Sequence, residues 1–321
     1  MSTFTRLIRC AGATLALTGM SMSVSQAAVA QALALSTVQD TRAAMRGEGF
    51  AHASYLFFAD QADREGRRST AELFRRVAGV ELNDHFTQEA ALINFVGSDE
   101  ANLRHAIEGE RYEASSMYPT YAEEARQDGD FEAAERFTEI AADEDEHRRL
   151  LTQALRALTL GKGTVPAPPP VDRVEVPAGP PQVASARTRA NLEDAMHGEG
   201  EANAAYTLFA RHAERTGQER LAELFHGLAD VELHEHFAAE ARLDGLVSDT
   251  DTNLRTSIAG ETYESEVMYP TFARRAEKAG DTRAAALFTE IADDEGDHAA
   301  AFRRALGESR TGEAPARNSA S

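Results

Sequence analysis

The stretch GERYEASSMYPTYA, from Gly109 to Ala122, returns 151 residues later as GETYESEVMYPTFA, from Gly260 to Ala273. Each copy carries two glutamates three residues apart, a spacing that places both carboxylates on one face of a helix. The repetition extends well beyond this stretch, because many positions between Thr41 and His147 match their partners at the same offset. The sequence therefore predicts two related units in tandem, each built around acidic side chains.

Possible metal ligands recur at that one offset. Several of them lie three or four residues apart, so that two side chains share a helix face. Burying this many carboxylates inside a helical bundle requires compensating cations. Carboxylates with one imidazole per metal suit iron or manganese better than structural zinc, which prefers thiolates. The predicted ligands are Glu48, Glu81, His85, Glu110, Glu113, Glu144 and His147 in the first unit, and Glu199, Glu232, His236, Glu261, Glu264, Glu295 and His298 in the second.

Each unit has the pattern of four long helices. Apolar residues recur at three- and four-residue spacing, as in Leu73, Phe74 and Val77, which is helical periodicity. Turn residues near positions 65–66, 97–99 and 128–130 divide the first unit into four segments, and the second divides in the same way. Pro119 falls inside the third segment, where the pattern continues and predicts a kink. The fold class is thus all-α, with two tandem four-helix bundles.

The boundaries of the units follow from composition. Seven of the ten prolines fall between Pro166 and Pro181, in a stretch that reads as an extended spacer. We predict a first unit over residues 38–158, a proline-rich linker over 159–186, a second unit over 187–307 and a disordered tail over 308–321.

The first 30 residues have the form of a secretory signal peptide. Arg6 and Arg9 precede an apolar stretch, and residues 28–30 form a small-x-small cleavage site. The apolar stretch is too short for a membrane anchor. Export to the periplasm is therefore predicted, and a cytoplasmic protein with an irregular amino terminus is the alternative. Cys10, the only cysteine, would leave with this peptide, which excludes disulfides and Cys-ligated metals from the mature protein.

The charge balance argues against one class of partner. The formal net charge is -20 at pH 7, whereas binding to nucleic acid or an acidic membrane requires clustered Lys and Arg. We therefore expect neither nucleic acid nor a membrane as partner.

The combined motifs resemble those of the rubrerythrin family. The stretches from Gly109 and Gly260 look like the third helix of rubrerythrins, GEGFAHASY and GEGEANAAY resemble the first, and FTEIAADEDEH and FTEIADDEGDH resemble the fourth with its Glu-x-x-His. The resemblance implies ferritin-like bundles with two irons per site and up to four per chain. The ligands that it implies are Glu48, Glu81, Glu110, Glu113, Glu144 and His147 with their partners in the second unit. It also implies that Tyr55 and Tyr206 lie just outside the ligands.

Two features depart from the family pattern. The second helix carries Glu-x-x-x-His in place of Glu-x-x-His. Because a spacing of four still keeps both groups on one face, His85 and His236 remain the favoured ligands, with Asp84 and Glu235 as alternates. The paired CxxC motifs of a rubredoxin-like domain are missing, so electrons would have to come from an external donor.

Chain length restricts how the bundles can form. In ferritin-like bundles the second and third helices run in the same direction, yet only 25 residues separate His85 from Glu110. Fully helical, they span about 38 Å, which is too short to return along the bundle and descend again. We therefore predict an exchange, in which the first two helices of one unit pack with the last two of the other. Two unswapped up-down-up-down bundles are the alternative.

The resemblance implies a di-iron oxidoreductase that reduces hydrogen peroxide. An iron-binding or storage protein with ferroxidase activity towards O₂ is one alternative, and a di-manganese, catalase-like protein is another. A purely structural helical protein is the remaining possibility. A homodimer is possible.

Overall fold

The computed structural model describes residues 32–312, and the predicted leader lies outside them. The described part of the chain forms eight helices and no strand. In the first unit α1 spans Leu35–Arg64, α2 comprises Arg68–Val80, Glu81–Phe86 and Thr87–Leu92, α3 comprises Asp99–Tyr112, Glu113–Met117 and Tyr118–Asp128, and α4 spans Phe131–Leu160. In the second unit α5 spans Ala186–Arg215, α6 comprises Glu219–Val231, Glu232–Phe237 and Ala238–Asp244, α7 comprises Thr250–Tyr263, Glu264–Met268 and Tyr269–Ala279, and α8 spans Thr282–Gly312. The middle segments of α2, α3, α6 and α7 are π-helical.

The predicted breaks are where the helices end. Gly66 and Gly129 have φ angles of 75° and 87°, a left-handed conformation that glycine adopts without a steric penalty and that terminates α1 and α3. Ser98 caps α3 by accepting a hydrogen bond from the Ala101 amide at 3.2 Å. Pro119 lies just after the π-helical segment of α3 and does not end the helix. The wider π-helical turn therefore comes immediately before the residue that cannot donate a backbone hydrogen bond.

The helices are exchanged between the two units. Helices α1 and α2 pack with α7 and α8, while α3 and α4 pack with α5 and α6. In the first bundle the Phe302 ring of α8 lies 5.1 Å from Phe74 and 5.4 Å from Tyr55, measured between ring centroids. In the second, Leu151 of α4 belongs to one buried cluster with Phe209. Each bundle thus takes two helices from each unit, and the unswapped alternative is wrong.

The two bundles meet where α1 crosses α5. The crossing point is Gly49 against Gly200, and a Cβ atom on Gly49 would lie 2.7 Å from the Gly200 carbonyl oxygen. No side chain fits in that space, so the backbones touch directly. Since Glu48 and Glu199 precede these glycines, the crossing fixes the position of one predicted ligand in each bundle.

The proline-rich linker packs against the helices. Val176 is buried in a hydrophobic cluster, and the Gln182 amide donates to the Leu243 carbonyl at 2.8 Å. Helix α8 extends to Gly312, beyond the predicted start of the tail at residue 308, because Ala305 and Leu306 continue its apolar face against the core. Within residues 32–312, no helix is long and apolar enough to cross a membrane.

Candidate metal centres

Each bundle gathers six predicted ligands at its centre and a seventh beside them. We call the two centres site I and site II. Site I contains Glu48, Glu81 and His85 from α1 and α2 with Glu261, Glu264, Glu295 and His298 from α7 and α8. Site II contains Glu110, Glu113, Glu144 and His147 from α3 and α4 with Glu199, Glu232 and His236 from α5 and α6.

Site I offers two donor groups that share two carboxylates. One group is Glu48, Glu81, His85 and Glu295, and the other is Glu81, Glu261, Glu295 and His298, with the donor atoms of each group within 4.8 Å of one another. Glu81 and Glu295 belong to both groups. Two metal ions held in these groups would therefore be neighbours bridged by two carboxylates.

Site II repeats this arrangement. Its groups are Glu110, Glu144, His147 and Glu232, and Glu144, Glu199, Glu232 and His236. Glu144 and Glu232 are shared. Each shared pair consists of one carboxylate from each unit of the chain, so neither unit can complete a site by itself.

The π-helical segments of α2 and α6 place the histidines in the sites. His85 Nδ1 lies 2.9 Å from Glu81 Oε2, although four residues separate the two positions. A π-helical turn accommodates one residue more than an α-helical turn, which brings the Glu-x-x-x-His spacing into register. The alternate ligands, Asp84 and Glu235, do not belong to the donor groups. Asp84 is exposed, and Glu235 accepts a hydrogen bond from the Asp172 amide of the linker.

The second carboxylate of α3 and α7 lies at the edge of each site. Glu113 and Glu264 are absent from the compact donor groups. The Glu264 carboxylate lies beside Gly47, the residue before Glu48, because a Cβ atom there would be 3.8 Å from Glu264 Oε1. Burial, and then repulsion from Glu48, raises the pKa of Glu264 well above its usual range.

Tyrosines hydrogen-bond to ligand carboxylates in both sites. Tyr55 and Tyr206 lie where the family resemblance placed them, and their hydroxyls donate to Glu261 and Glu110 at 2.5 Å. Sequence reasoning missed a second pair on α3 and α7 together with two buried glutamates: Tyr269 contacts Glu48 and Glu89 in site I, and Tyr118 contacts Glu199 and Glu240 in site II. The repeat would have revealed them, because these residues also match at the 151-residue offset.

The geometry around Tyr269 requires a proton on one of the two carboxyl groups that its hydroxyl contacts. The Tyr269 hydroxyl has one hydrogen but contacts two carboxyl groups, Glu48 and, at 3.0 Å, Glu89. One of these carboxyls must itself be a donor. Burial, and then repulsion from Glu48, raises the pKa of the fully buried Glu89 well above its usual range, which assigns the proton to it.

The electrostatics of both sites fit bound cations. Burial, and then repulsion from Glu261, raises the pKa of Glu81 to about 7, and burial also raises the pKa of Glu261 to about 8. Glu144 and Glu232 are about 1 % exposed, and each has an oxygen with no hydrogen-bond partner. Buried carboxylate oxygens that accept no hydrogen bond are costly. Metal ions that prefer oxygen and imidazole ligands would lower that cost. The donor set therefore fits two metal ions per site.

The fold and the sites define a ferritin-like protein with di-metal carboxylate centres. The rubrerythrin family model matches residues 42–155 and 190–306, and the chain belongs to this family. It is a di-iron protein of the rubrerythrin and ferritin-like kind.

Several curated relatives match. Rubrerythrin from Porphyromonas gingivalis is 34% identical over 129 residues, which is 36% of this chain and 64% of the relative. Nigerythrin from Nitratidesulfovibrio vulgaris is 36% identical over 125 residues, or 35% of this chain and 62% of the relative. Symerythrin from Cyanophora paradoxa is 27% identical over 226 residues, or 70% of this chain and 89% of the relative. The chain thus spans less than two thirds of the first two relatives. No solved structure matches it.

Proposed function

We propose that the protein is a peroxide reductase with a di-iron centre in site I and another in site II. Each turnover would convert one H₂O₂, two electrons and two protons into two molecules of water. The observation that carries this proposal is the sharing of Glu81 and Glu295 by two donor groups, and of Glu144 and Glu232 by two others. Shared carboxylates hold two metals close enough to act on one small oxidant.

A pair of ferrous ions, when bound, supplies the two electrons that reduce one peroxide molecule. The protein side chains orient and shield that pair. The Tyr55 hydroxyl fixes the rotamer of Glu261 through its hydrogen bond, and Tyr55 itself packs against Phe74 and Phe302. These fully buried aromatic rings exclude water from that side of the site.

Reduction of peroxide also consumes protons. The Glu89 carboxyl holds a proton in contact with the Tyr269 hydroxyl, which in turn contacts the ligand Glu48. Glu240, Tyr118 and Glu199 repeat this chain in site II. We assign these two chains the role of holding a proton beside each centre.

The electrons would come from another molecule. Cys10 is the only cysteine, so the chain lacks the paired thiols of a rubredoxin-like iron site. If the leader directs export, as we propose, the donor is an electron carrier of that compartment.

Anaerobic titration with Fe(II), followed by one equivalent of H₂O₂ per site, tests the proposal. We expect one iron for each of the four donor groups and rapid growth of near-ultraviolet absorption on adding peroxide. The variant Glu81→Ala/Glu144→Ala, which removes a shared carboxylate from each site, is the control and should show neither uptake nor the spectral change.

Two other outcomes would replace the proposal. Oxidation by O₂ with uptake beyond the ligand groups would indicate iron storage with ferroxidase activity. Manganese in the isolated protein, with O₂ released from peroxide in the absence of a reductant, would indicate a catalase-like function.

A further inference from the structure

Sites I and II differ in their access to solvent. His298 of site I is 13 % exposed, whereas its repeat partner His147 in site II is 2 % exposed. The same difference holds for one neighbouring pair, since Val80 beside site I is half-buried and Val231 beside site II is buried. Both sites have the same ligands, so the difference must come from what lies over them.

The linker lies over the mouth of site II. We call residues 168–174 the cover. The Asp172 amide donates to Glu235 Oε2 at 2.9 Å, and the Val174 amide donates to the His234 carbonyl at 2.9 Å. Both acceptors belong to the π-helical segment of α6 that also carries Glu232 and His236. The cover is therefore attached to the segment that supplies ligands.

An ion pair and a close packing contact add to this attachment. Arg173 Nη2 lies 2.8 Å from each carboxylate oxygen of Asp230. Pro168 packs on Gly227 so closely that a Cβ atom on the glycine would overlap the proline ring. The repeat partner of Gly227 is Arg76, an exposed residue on α2 at the mouth of site I. Glycine at position 227 is thus what permits the cover to lie on α6.

The cover forms one wall of an acidic pocket that is partly open to solvent. A cavity of about 440 Å³ lies between the cover and helices α4 and α6. His147 reaches it from inside the bundle, and Asp143 and Glu146 line its wall. Small neutral molecules such as H₂O₂ fit easily into a space of this size. His147 itself is only 2 % exposed, so a bulky reagent needs the cover to move before it can reach the ligands.

We propose that the cover makes the two metal centres unequal. Site II admits small molecules but exchanges metal slowly and is shielded from large partners, while site I exchanges metal readily and is open to larger molecules. The inference depends on metal binding at both sites and is independent of peroxide reduction. Failure of the peroxide experiment would therefore leave it intact.

The test is the rate at which a bulky aromatic chelator, bathophenanthroline disulfonate, removes Fe(II) from the full chain under anaerobic conditions. We expect two phases of equal amplitude whose rates differ by about tenfold or more, because removal from site II requires local opening of the cover. Glu81→Ala/Glu295→Ala, which removes only site I ligands, should leave the slow phase. Glu144→Ala/Glu232→Ala should leave the fast one.

Gly227→Arg introduces at position 227 the residue type of its repeat partner, Arg76. The larger side chain should displace the cover. We expect the slow phase to accelerate to the rate of the fast phase, with the fast phase unchanged. Arg76→Gly is the matched control and should change neither phase. Arg173→Ala loosens the cover without a clash and should give a smaller acceleration, which keeps the test valid if Gly227→Arg does not fold.

Two results would overturn the proposal. One is a single phase in the wild-type protein, and the other is a slow phase that neither Gly227→Arg nor Arg173→Ala accelerates. Either would mean that the cover does not control access to site II.

Discussion

The interiors of sites I and II are nearly identical. His85 Nδ1 lies 2.9 Å from Glu81 in site I, and His236 Nδ1 lies 2.9 Å from Glu232 in site II. The hydrogen bonds from the helix α1 and α5 tyrosines to their glutamates have the same length in both sites. Buried charged groups tolerate few arrangements, which explains why both copies kept this one.

The mouths of the two sites have diverged. Arg76 on α2 is exposed, whereas its repeat partner Gly227 on α6 lies beneath Pro168. Asp84 on α2 is also exposed, whereas its repeat partner Glu235 on α6 accepts a hydrogen bond from the linker. Surface positions accept substitutions that buried ligand positions do not. The two units therefore share their buried ligands, while the linker makes site II less accessible to solvent than site I.

The largest effect is expected from removing shared carboxylates in pairs. Glu81→Ala/Glu295→Ala removes both shared carboxylates of site I, so half of the wild-type iron should remain, all of it in site II. Glu81→Ala/Glu144→Ala removes one from each site and should abolish iron binding. Metal analysis after gel filtration measures the difference. Complete loss of iron in the first variant would mean that the helices are not exchanged, because its substitutions lie in different units of the chain.

The second prediction concerns the metal-free protein and pH. The pKa of Glu81 is raised to about 7, and those of Glu199 and Glu261 to about 8, chiefly by burial. A carboxyl with a raised folded-state pKa stabilises the fold below its unfolded pKa of about 4.3, and this stabilisation is lost as pH rises through the folded pKa.

The metal-free protein should therefore lose on the order of a few kcal/mol of unfolding free energy between about pH 5 and pH 8. Metal binding replaces those protons, so the iron-loaded protein should not lose unfolding free energy over this pH range. Denaturant unfolding at several pH values checks both statements. A metal-free protein whose stability rises with pH would contradict the protonated state of the sites.

The third prediction concerns the crossing that joins the two bundles. Gly49→Ala places a Cβ atom against the backbone of Gly200, so the helices must separate. We expect a loss of about 1–3 kcal/mol in unfolding free energy and weaker metal binding at both sites. Gly198→Ala, on α5 with no atom within 4 Å of the added Cβ, is the control and should be neutral or stabilising by up to about 1 kcal/mol. Equal effects of the two variants would contradict the close crossing.

The smallest effect is expected at the protonated glutamates. Glu89→Gln replaces a neutral acid with a neutral amide that still hydrogen-bonds to Tyr269, so unfolding free energy should change by less than about 1 kcal/mol. Glu89→Leu leaves a polar group without its partner and should cost about 1–3 kcal/mol. Thermal unfolding measures both, and Glu240→Gln and Glu240→Leu should repeat the contrast in site II. A large loss in Glu89→Gln would show that the carboxyl is ionised.

Much of the architecture could be predicted from the sequence because it follows from spacing and length. Apolar periodicity predicts the helices, and turn residues predict where they end. The 25 residues between His85 and Glu110 are too few for a return along the bundle, which predicted the exchange. The structure brings twelve of the fourteen predicted ligands into compact donor groups and places Glu113 and Glu264 at their edges.

Other features could not be predicted because they depend on tertiary context. The π-helical turn at Glu81 is a local change of backbone that no composition rule requires. The burial of Glu89 depends on which side of α2 faces α7, and a glutamate in a helix usually lies at the surface. The composition of the linker predicts only an extended spacer. Its packing on α6 could not be predicted, because the contact of Pro168 with Gly227 joins residues 59 positions apart.

The exchange of helices also sets an order of events during synthesis. Site II cannot be completed before His236 has been made, and site I must wait for His298, near the end of the described chain. A ribosome-bound first unit therefore has three of the seven ligands of site I, four of the seven of site II and no finished centre. Iron can enter its final coordination in either site only after ligands of the second unit have been translated, so the acquisition of metal does not guide the folding of the first unit.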